Sequence, residues 1–262
     1  MAVLENPFSL SPNPRYCYLT SYHRATVAKT SYVIDNRQGL ATIIAEVGHG
    51  KTTVLRYIYD QVKDRDDVLP RLMVTPQFPS QMQFLKAICL EFGLATKRSK
   101  LEQMGELNSF LISKYKEGKN IVLAIDEAQL LVGDQFELIR QLLNFETNSA
   151  KLITIVLAGQ PELRNKLRLK KALASRIAVN SSLDSLTYDD TKEMIKFRLM
   201  VAGYDSLFPD DTCKAIYDKT LGVPREVVKL CGLCLQLAKM NKLTNVPIDL
   251  VEVANQEILK GK

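Results

Sequence analysis

Leu40-Ala41-Thr42-Ile43-Ile44-Ala45-Glu46-Val47-Gly48-His49-Gly50-Lys51-Thr52-Thr53 is the stretch that decides the fold. Its first six residues are apolar and β-branched, as in a strand buried on both faces. A turn with two glycines follows. From Thr52 onward Val54, Leu55, Ile58 and Val62 fall on one helical face. Strand, glycine turn and helix together are the setting of a phosphate-binding loop, in which backbone N–H groups close around phosphate oxygens and the helix start adds positive potential. Glu46, Val47, Gly48, His49, Gly50, Lys51, Thr52 and Thr53 would form that cradle. Lys51 would reach the β- and γ-phosphates, and the Thr52 hydroxyl would sit on Mg²⁺. The usual pattern opens with glycine; here Ala45, the smallest side chain available, stands in that place.

The second informative segment is Ile121-Val122-Leu123-Ala124-Ile125-Asp126-Glu127. Asp126 follows five apolar residues and so ends a core strand, where open α/β sheets bind their ligands. Its expected task is to hold Mg²⁺ through water. Glu127 would orient or deprotonate an attacking water. The two segments together imply that the chain binds ATP or GTP with Mg²⁺ and hydrolyses it.

Outward from these segments, strands and helices alternate. Strands are expected at 40–45, 71–75, 120–125 and 152–158, and helices at 21–36, 52–64, 79–92, 101–117, 134–146 and 161–169. Asp134 and Glu137 read as a capping pair and Pro79 as a helix start. Such alternation means a parallel sheet sandwiched by helices. From Thr187 the pattern is helical only, with helices beginning near 187, 210, 223 and 247. The expected fold is therefore α/β, a P-loop domain over 21–184 with an arm over 1–20 before it and a small all-helical lid over 185–262 after it.

Composition narrows the class. With 46% hydrophobic and 24% charged residues the chain is of globular type, and it contains no apolar run of membrane-spanning length. Met1 to Pro14 is polar and lacks a signal-peptide core, so a cytoplasmic location away from any membrane is expected. A net charge of +6 permits nucleic-acid binding without requiring it. Cys231 and Cys234 form a C-x-x-C inside an apolar helical pattern with no second pair or nearby histidine, and read as core thiols. His23 and His49 are too far apart in the chain to suggest a metal site or a triad.

A P-loop domain with a helical lid resembles the AAA+ ATPases, and further motifs fit that family. Leu152 to Gln160 looks like its sensor strand, which would bring Gln160 near the γ-phosphate. Gly222-Val223-Pro224-Arg225 resembles the second sensor, with Arg225 toward the nucleotide. Leu173-Ala174-Ser175-Arg176-Ile177 resembles the arginine-finger region, with Arg164 and Arg168 as other candidates for the finger. Asn6-Pro7-Phe8, Pro12-Asn13-Pro14-Arg15-Tyr16, Tyr18 and Gly159-Gln160-Pro161-Glu162-Leu163 look like the ExeA-type group, which is related to the transposition regulators TnsC, MuB and TniB.

That resemblance implies ATP rather than GTP. It also implies a homo-oligomer, ring or helical filament, in which Arg176 completes the neighbour's site and hydrolysis through Glu127 releases the assembly. Two readings follow for what the assembly serves. In the first, it forms on double-stranded DNA and directs a transposase or target-selection protein there. Lys97, Arg98, Lys100 and Lys119, with Lys116, would then contact phosphates, although a solvated basic turn accounts for them equally well. In the second, it is an ExeA-like secretion or envelope ATPase acting on protein partners. Secretion-type ExeA proteins carry a membrane segment and a wall-binding region after the ATPase; this sequence stops at Lys262, so a free-standing ATPase is expected. A scaffold with purely structural ATP is a third reading, opposed by Glu127 and the two sensors. The basic run Lys166 to Lys171 reads as subunit interface or solvated helix. Tyr16 or Tyr18 would pack either on adenine or against the core.

Overall fold

The computed structural model describes residues 6–11 and 13–260; Pro12 of the ExeA-type motif and the ends of the expected arm and lid, Met1 to Glu5 and Gly261 to Lys262, lie outside them. In chain order the elements are α1 (Ser21–Asp35), β1 (Leu40–Ala45), α2 (Lys51–Val62), β2 (Val68–Met73), α3 (Gln81–Glu91), α4 (Lys100–Lys116), β3 (Asn120–Ile125), α5 (Gly133–Leu142), β4 (Ile153–Gly159), α6 (Pro161–Leu169), α7 (Lys171–Ala174), β5 (Ile177–Leu183), α8 (Tyr188–Val201), α9 (Asp210–Thr220), α10 (Pro224–Met240) and α11 (Ile248–Lys260). Two compact units result. One spans Tyr22–Glu46 and Val54–Leu183; the other combines the chain up to Ser21 with Val47–Thr53 and the part from Asp184 onward.

The first unit holds a five-stranded sheet in the order β2-β3-β4-β1-β5, with every pairing parallel. Its three inner strands are buried along their whole length, which is why they read as unbroken apolar runs. Alternate residues serve opposite faces. Ile121, Leu123 and Ile125 pack with Phe84, Leu107 and Phe136 from α3, α4 and α5. Val122 and Ala124 pack with Val33 of α1 and Val54, Leu55 and Ile58 of α2. Because the strands are parallel, all five carboxyl ends lie along one edge of the sheet, and that edge receives Asp126.

The differences from expectation fall mainly on the sheet margins. β2 begins at Val68 and takes in Pro70, which pairs with Val122. Proline offers no N–H to a ladder and is tolerated because β2 is an edge strand. β5, the other edge, is an additional strand; its burial alternates and its centre is Asn180-Ser181-Ser182, so it carries no continuous apolar signal. The expected Asp134–Glu137 cap does not form: Gln135 Oε1 accepts the Val132 N–H at 3.1 Å, and Glu137 turns to Arg140 instead.

In the second unit α8 to α11 enclose a core of Ile195, Leu199, Ile216, Val227, Leu230 and Val251. Thr187 caps α8 by accepting the Asp190 N–H at 3.1 Å. Cys231 and Cys234 lie in this core, and burial pushes both thiols up, Cys234 to about 12. The arm belongs to the same unit. Phe8 is 3% exposed and meets Phe208 edge-on, and Arg198 donates to the Pro7 carbonyl at 2.8 Å. Tyr16 lies under the Arg198 guanidinium and Tyr18 against Phe197. No helix among the described residues is long and apolar enough to cross a membrane.

Candidate functional site

The phosphate-loop segment leaves the carboxyl end of β1. Ala45 pairs with Leu183 as an ordinary strand residue and is absent from the left-handed positions, so nothing there demands glycine. Gly48 and Gly50 carry the positive φ angles of the loop, 86° and 83°. α2 starts at Lys51, whose side chain is 6% exposed, and Thr52 and Thr53 occupy its first turn. Glu46 and Val47 are exposed. The Gly48 carbonyl accepts the Arg225 N–H at 3.0 Å, so the expected second sensor is bonded directly to the loop. Pro224 opens α10 beside it, where a helix has no use for an N–H. The His49 ring bridges Val47 O (3.2 Å) and Ser185 Oγ (3.1 Å).

The acidic segment leaves the carboxyl end of β3. Asp126 is 2% exposed; its N–H continues the ladder to Met73 O, and its Oδ1 accepts the Glu127 N–H at 2.9 Å. Glu127 has φ 50° and ψ 35°, a left-handed conformation that costs a residue with a Cβ roughly 1–2 kcal/mol. A 3₁₀ turn, Ala128–Leu130, follows. Within it Gln129 folds back, and its Nε2 donates to Glu127 Oε2 at 2.6 Å while its Oε1 accepts the Gln160 N–H at 3.1 Å. The Gln160 side chain also donates to Glu127 Oε2, at 3.3 Å. Lys166 secures the turn by donating to the carbonyls of Gln129 (2.6 Å) and Leu131 (3.0 Å). Glu127 and Gln160 are among the site residues expected from the sequence; Gln129 is not. A lone amide in Ala128-Gln129-Leu130-Leu131-Val132 was the available signal.

Arg176 lies elsewhere in this unit. It immediately precedes β5, at the amino edge of the sheet, and its guanidinium donates to Asn144 Oδ1 at 2.7 Å and Ala172 O at 2.6 Å. With Ser175 it lines a cavity of about 310 Å³ that also takes in Gln38 and Lys151, next to the starts of β1 and β4. A six-residue strand rises about 20 Å, so this edge is that far from Asp126 and Glu127. Arg164 and Arg168 are exposed on α6.

Of the basic residues read as DNA contacts, Lys97 pairs with Glu106 at 3.2 Å. Lys100 is held by Gln81 (2.7 Å) and Gln141 (3.1 Å), and Lys119 donates to Asp66 O. Arg98 and Lys116 are exposed.

Each unit by itself offers donors that suit a nucleotide with Mg²⁺: the one with the loop a buried lysine and two hydroxyls in a helix's first turn, the sheet unit a buried carboxylate at a strand end. No group of three or more His, Cys, Asp or Glu among the described residues could hold a metal alone. Mg²⁺ characteristically takes one or two protein oxygens and completes its shell with phosphates and water.

Strand, loop and acidic turn in this topology define a P-loop ATPase of the AAA type. The family model described as "AAA domain" matches residues 34–167, half of the chain, and the chain belongs to that family. Family membership brings nucleotide binding with it. The chain is 34% identical over 236 residues to General secretion pathway protein A of Aeromonas hydrophila, covering 88% of this chain and 43% of that protein; it thus spans less than half of the relative. Among solved structures, the fold is similar to the ORC2 protein of Aeropyrum pernix (TM-score 0.70, 15% identity, 94% of this chain and 72% of that one). It is also similar to Cdc6p of Pyrobaculum aerophilum (0.72, 16%, 96% and 70%) and to the RuvB branch-migration motor of Thermotoga maritima (0.59, 20%, 90% and 69%).

Proposed function

We propose that the protein is an ATPase that uses ATP and Mg²⁺ to control its own assembly, ATP favouring a ring or filament and hydrolysis releasing it. The observation that carries this reading is the placement of Arg176 at the amino edge of the sheet, opposite the edge bearing Glu127. An arginine so placed is suited to a neighbouring subunit's nucleotide. In this scheme Lys51 neutralises the β- and γ-phosphates, and Thr52 and Asp126 serve the metal. Glu127 acts on the attacking water, Gln160 senses the γ-phosphate, and Arg225 carries the nucleotide state into the lid. Assembly and release then differ in stability according to the bound nucleotide, which is all that a switch requires. An ATP-fuelled cycle of this kind belongs in the cytoplasm.

The 34% identity to General secretion pathway protein A supports protein partners, as in a secretion or envelope ATPase. The intramolecular bonds of Lys97, Lys100 and Lys119 agree with that reading. A second reading, assembly on duplex DNA to direct a transposase or target-selection protein, is favoured by the exposed cations Arg98 and Lys116. Sedimentation with ADP or a slowly hydrolysed ATP analogue, with and without duplex DNA, separates the readings. Assembly with the analogue alone supports the switch and a protein client. Assembly that needs DNA and weakens steeply with salt supports the second reading. A protein that stays monomeric in every condition refutes the switch. Glu127→Gln is expected to trap the assembly.

A further inference from the structure

We propose that Gln129 is a positioning residue for hydrolysis, whose amide ties the Glu127 carboxylate to the end of the sensor strand. This deepens the reading above and rests on its assignment of Glu127 to the attacking water. The geometry demands an amide. One end of the side chain donates, to Glu127 Oε2 at 2.6 Å, and the other accepts, from the Gln160 N–H at 3.1 Å. Glutamate could accept but not donate, lysine and arginine could donate but not accept, and asparagine is one methylene shorter.

Two further features hold the link in place. Lys166 bonds the Gln129 carbonyl, so main chain and side chain are both fixed. Gly159 leaves room for the amide: a Cβ there would stand 3.0 Å from Gln129 Oε1 and 2.7 Å from Leu163 Cδ2. Gln129 is itself 9% exposed, so water has little access to compete for these bonds. The backbone of Glu127 is held in an unfavourable conformation by Asp126, and its carboxylate is aimed by amides from two places in the chain. A shift of Gln160 toward or away from a phosphate therefore moves Gln129, and Gln129 moves Glu127.

The test is steady-state ATP turnover of the full chain across pH, with nucleotide affinity measured by a fluorescent ATP analogue. Gln129→Met keeps the length and removes both bonds. It is expected to lower kcat about ten-fold, the worth of one well-placed hydrogen bond, with affinity within about two-fold of the parent. Gln129→Glu sets a second carboxylate beside the first and is expected to move the acid limb of the pH–rate profile to higher pH. A side chain out of reach of the carboxylate that limits the rate would not move that limb. Gly159→Ala crowds the same amide without altering residue 129 itself and is expected to lower kcat about three-fold. Parental kcat and an unmoved acid limb in both Gln129 variants, with Glu127→Gln inactive, would overturn the positioning role alone. A Glu127→Gln variant turning over at the parental rate would overturn the assignment beneath it as well.

Discussion

Glu127 presents an opportunity to measure strain at a position proposed to act in hydrolysis. With φ 50° and ψ 35° it occupies a region that glycine enters freely and alanine does not. Glu127→Ala and Glu127→Gly both delete the carboxylate, and both leave Gln129 without that acceptor, so these losses cancel between them. What remains is the left-handed cost for alanine, roughly 1–2 kcal/mol, less the roughly 0.4–1 kcal/mol that glycine loses through its freer unfolded chain. Glu127→Gly should therefore be the more stable by about 0.8 kcal/mol, or about 2–3 °C in Tm for a unit of this size. The same pair at Ser109, exposed in the middle of α4, should reverse in sign, with glycine the less stable by about 1 kcal/mol. Urea titrations of the four variants provide the comparison. An alanine variant at 127 as stable as the glycine one would refute the claim that the backbone is strained there.

Three other outcomes are expected. Gly222 has φ 71°, and a Cβ on it would lie 2.0 Å from the Leu186 carbonyl, whose residue also donates to Gly222 O at 2.8 Å; Gly222→Ala should cost more than about 2 kcal/mol in a denaturant titration. Arg176→Ala should keep nucleotide affinity and lose about 10³ in turnover, and mixing it with an inactive Lys51→Ala variant should restore part of the rate, because each variant supplies what the other's site lacks. No recovery on mixing would place the residue's effect within its own subunit. The third outcome concerns Glu137, whose carboxyl Arg140 lowers from 4.5 to about 2 through hydrogen bonds of 2.6 and 2.8 Å. A lowered folded-state pKa gives stability that is complete above pH 4.5 and lost as pH falls toward 2. Because the Glu137 side chain is partly exposed, solvent screens the pair and the contribution is small; Arg140→Ala should flatten stability across that window.

The sequence was most legible where burial is uniform. β1, β3 and β4 are covered on both faces, and their apolar runs declared both the strands and the positions of Lys51 and Asp126 at their ends. Legibility failed at the margins. Pro70 disguised the start of β2 because propensity treats proline as a breaker, whereas an edge strand needs no N–H on its open side. β5 was hidden because an edge strand keeps only alternate residues inside, and three polar residues sit at its centre. Gln129 was missed for a different reason: its significance lies in two bonds made after the chain reverses at Glu127, and neither local spacing nor hydropathy encodes that reversal. The same holds for Gln135, which took over the cap expected of Asp134.

The insertion of Phe8 among the residues of α8 to α10 has a consequence for synthesis. The residues that close that helical core leave the ribosome about 200 positions after Phe8 does, which at 5–20 residues per second is a delay of about 10–40 s. The sheet unit can fold in that interval, since its own partners have all emerged. The helical unit cannot be completed until its last helices appear and recover a segment made about 200 residues earlier. The nascent chain therefore carries an exposed phenylalanine through that interval before the slot beside Gly232 exists to receive it, and whatever binds the phenylalanine delays the filling of the slot.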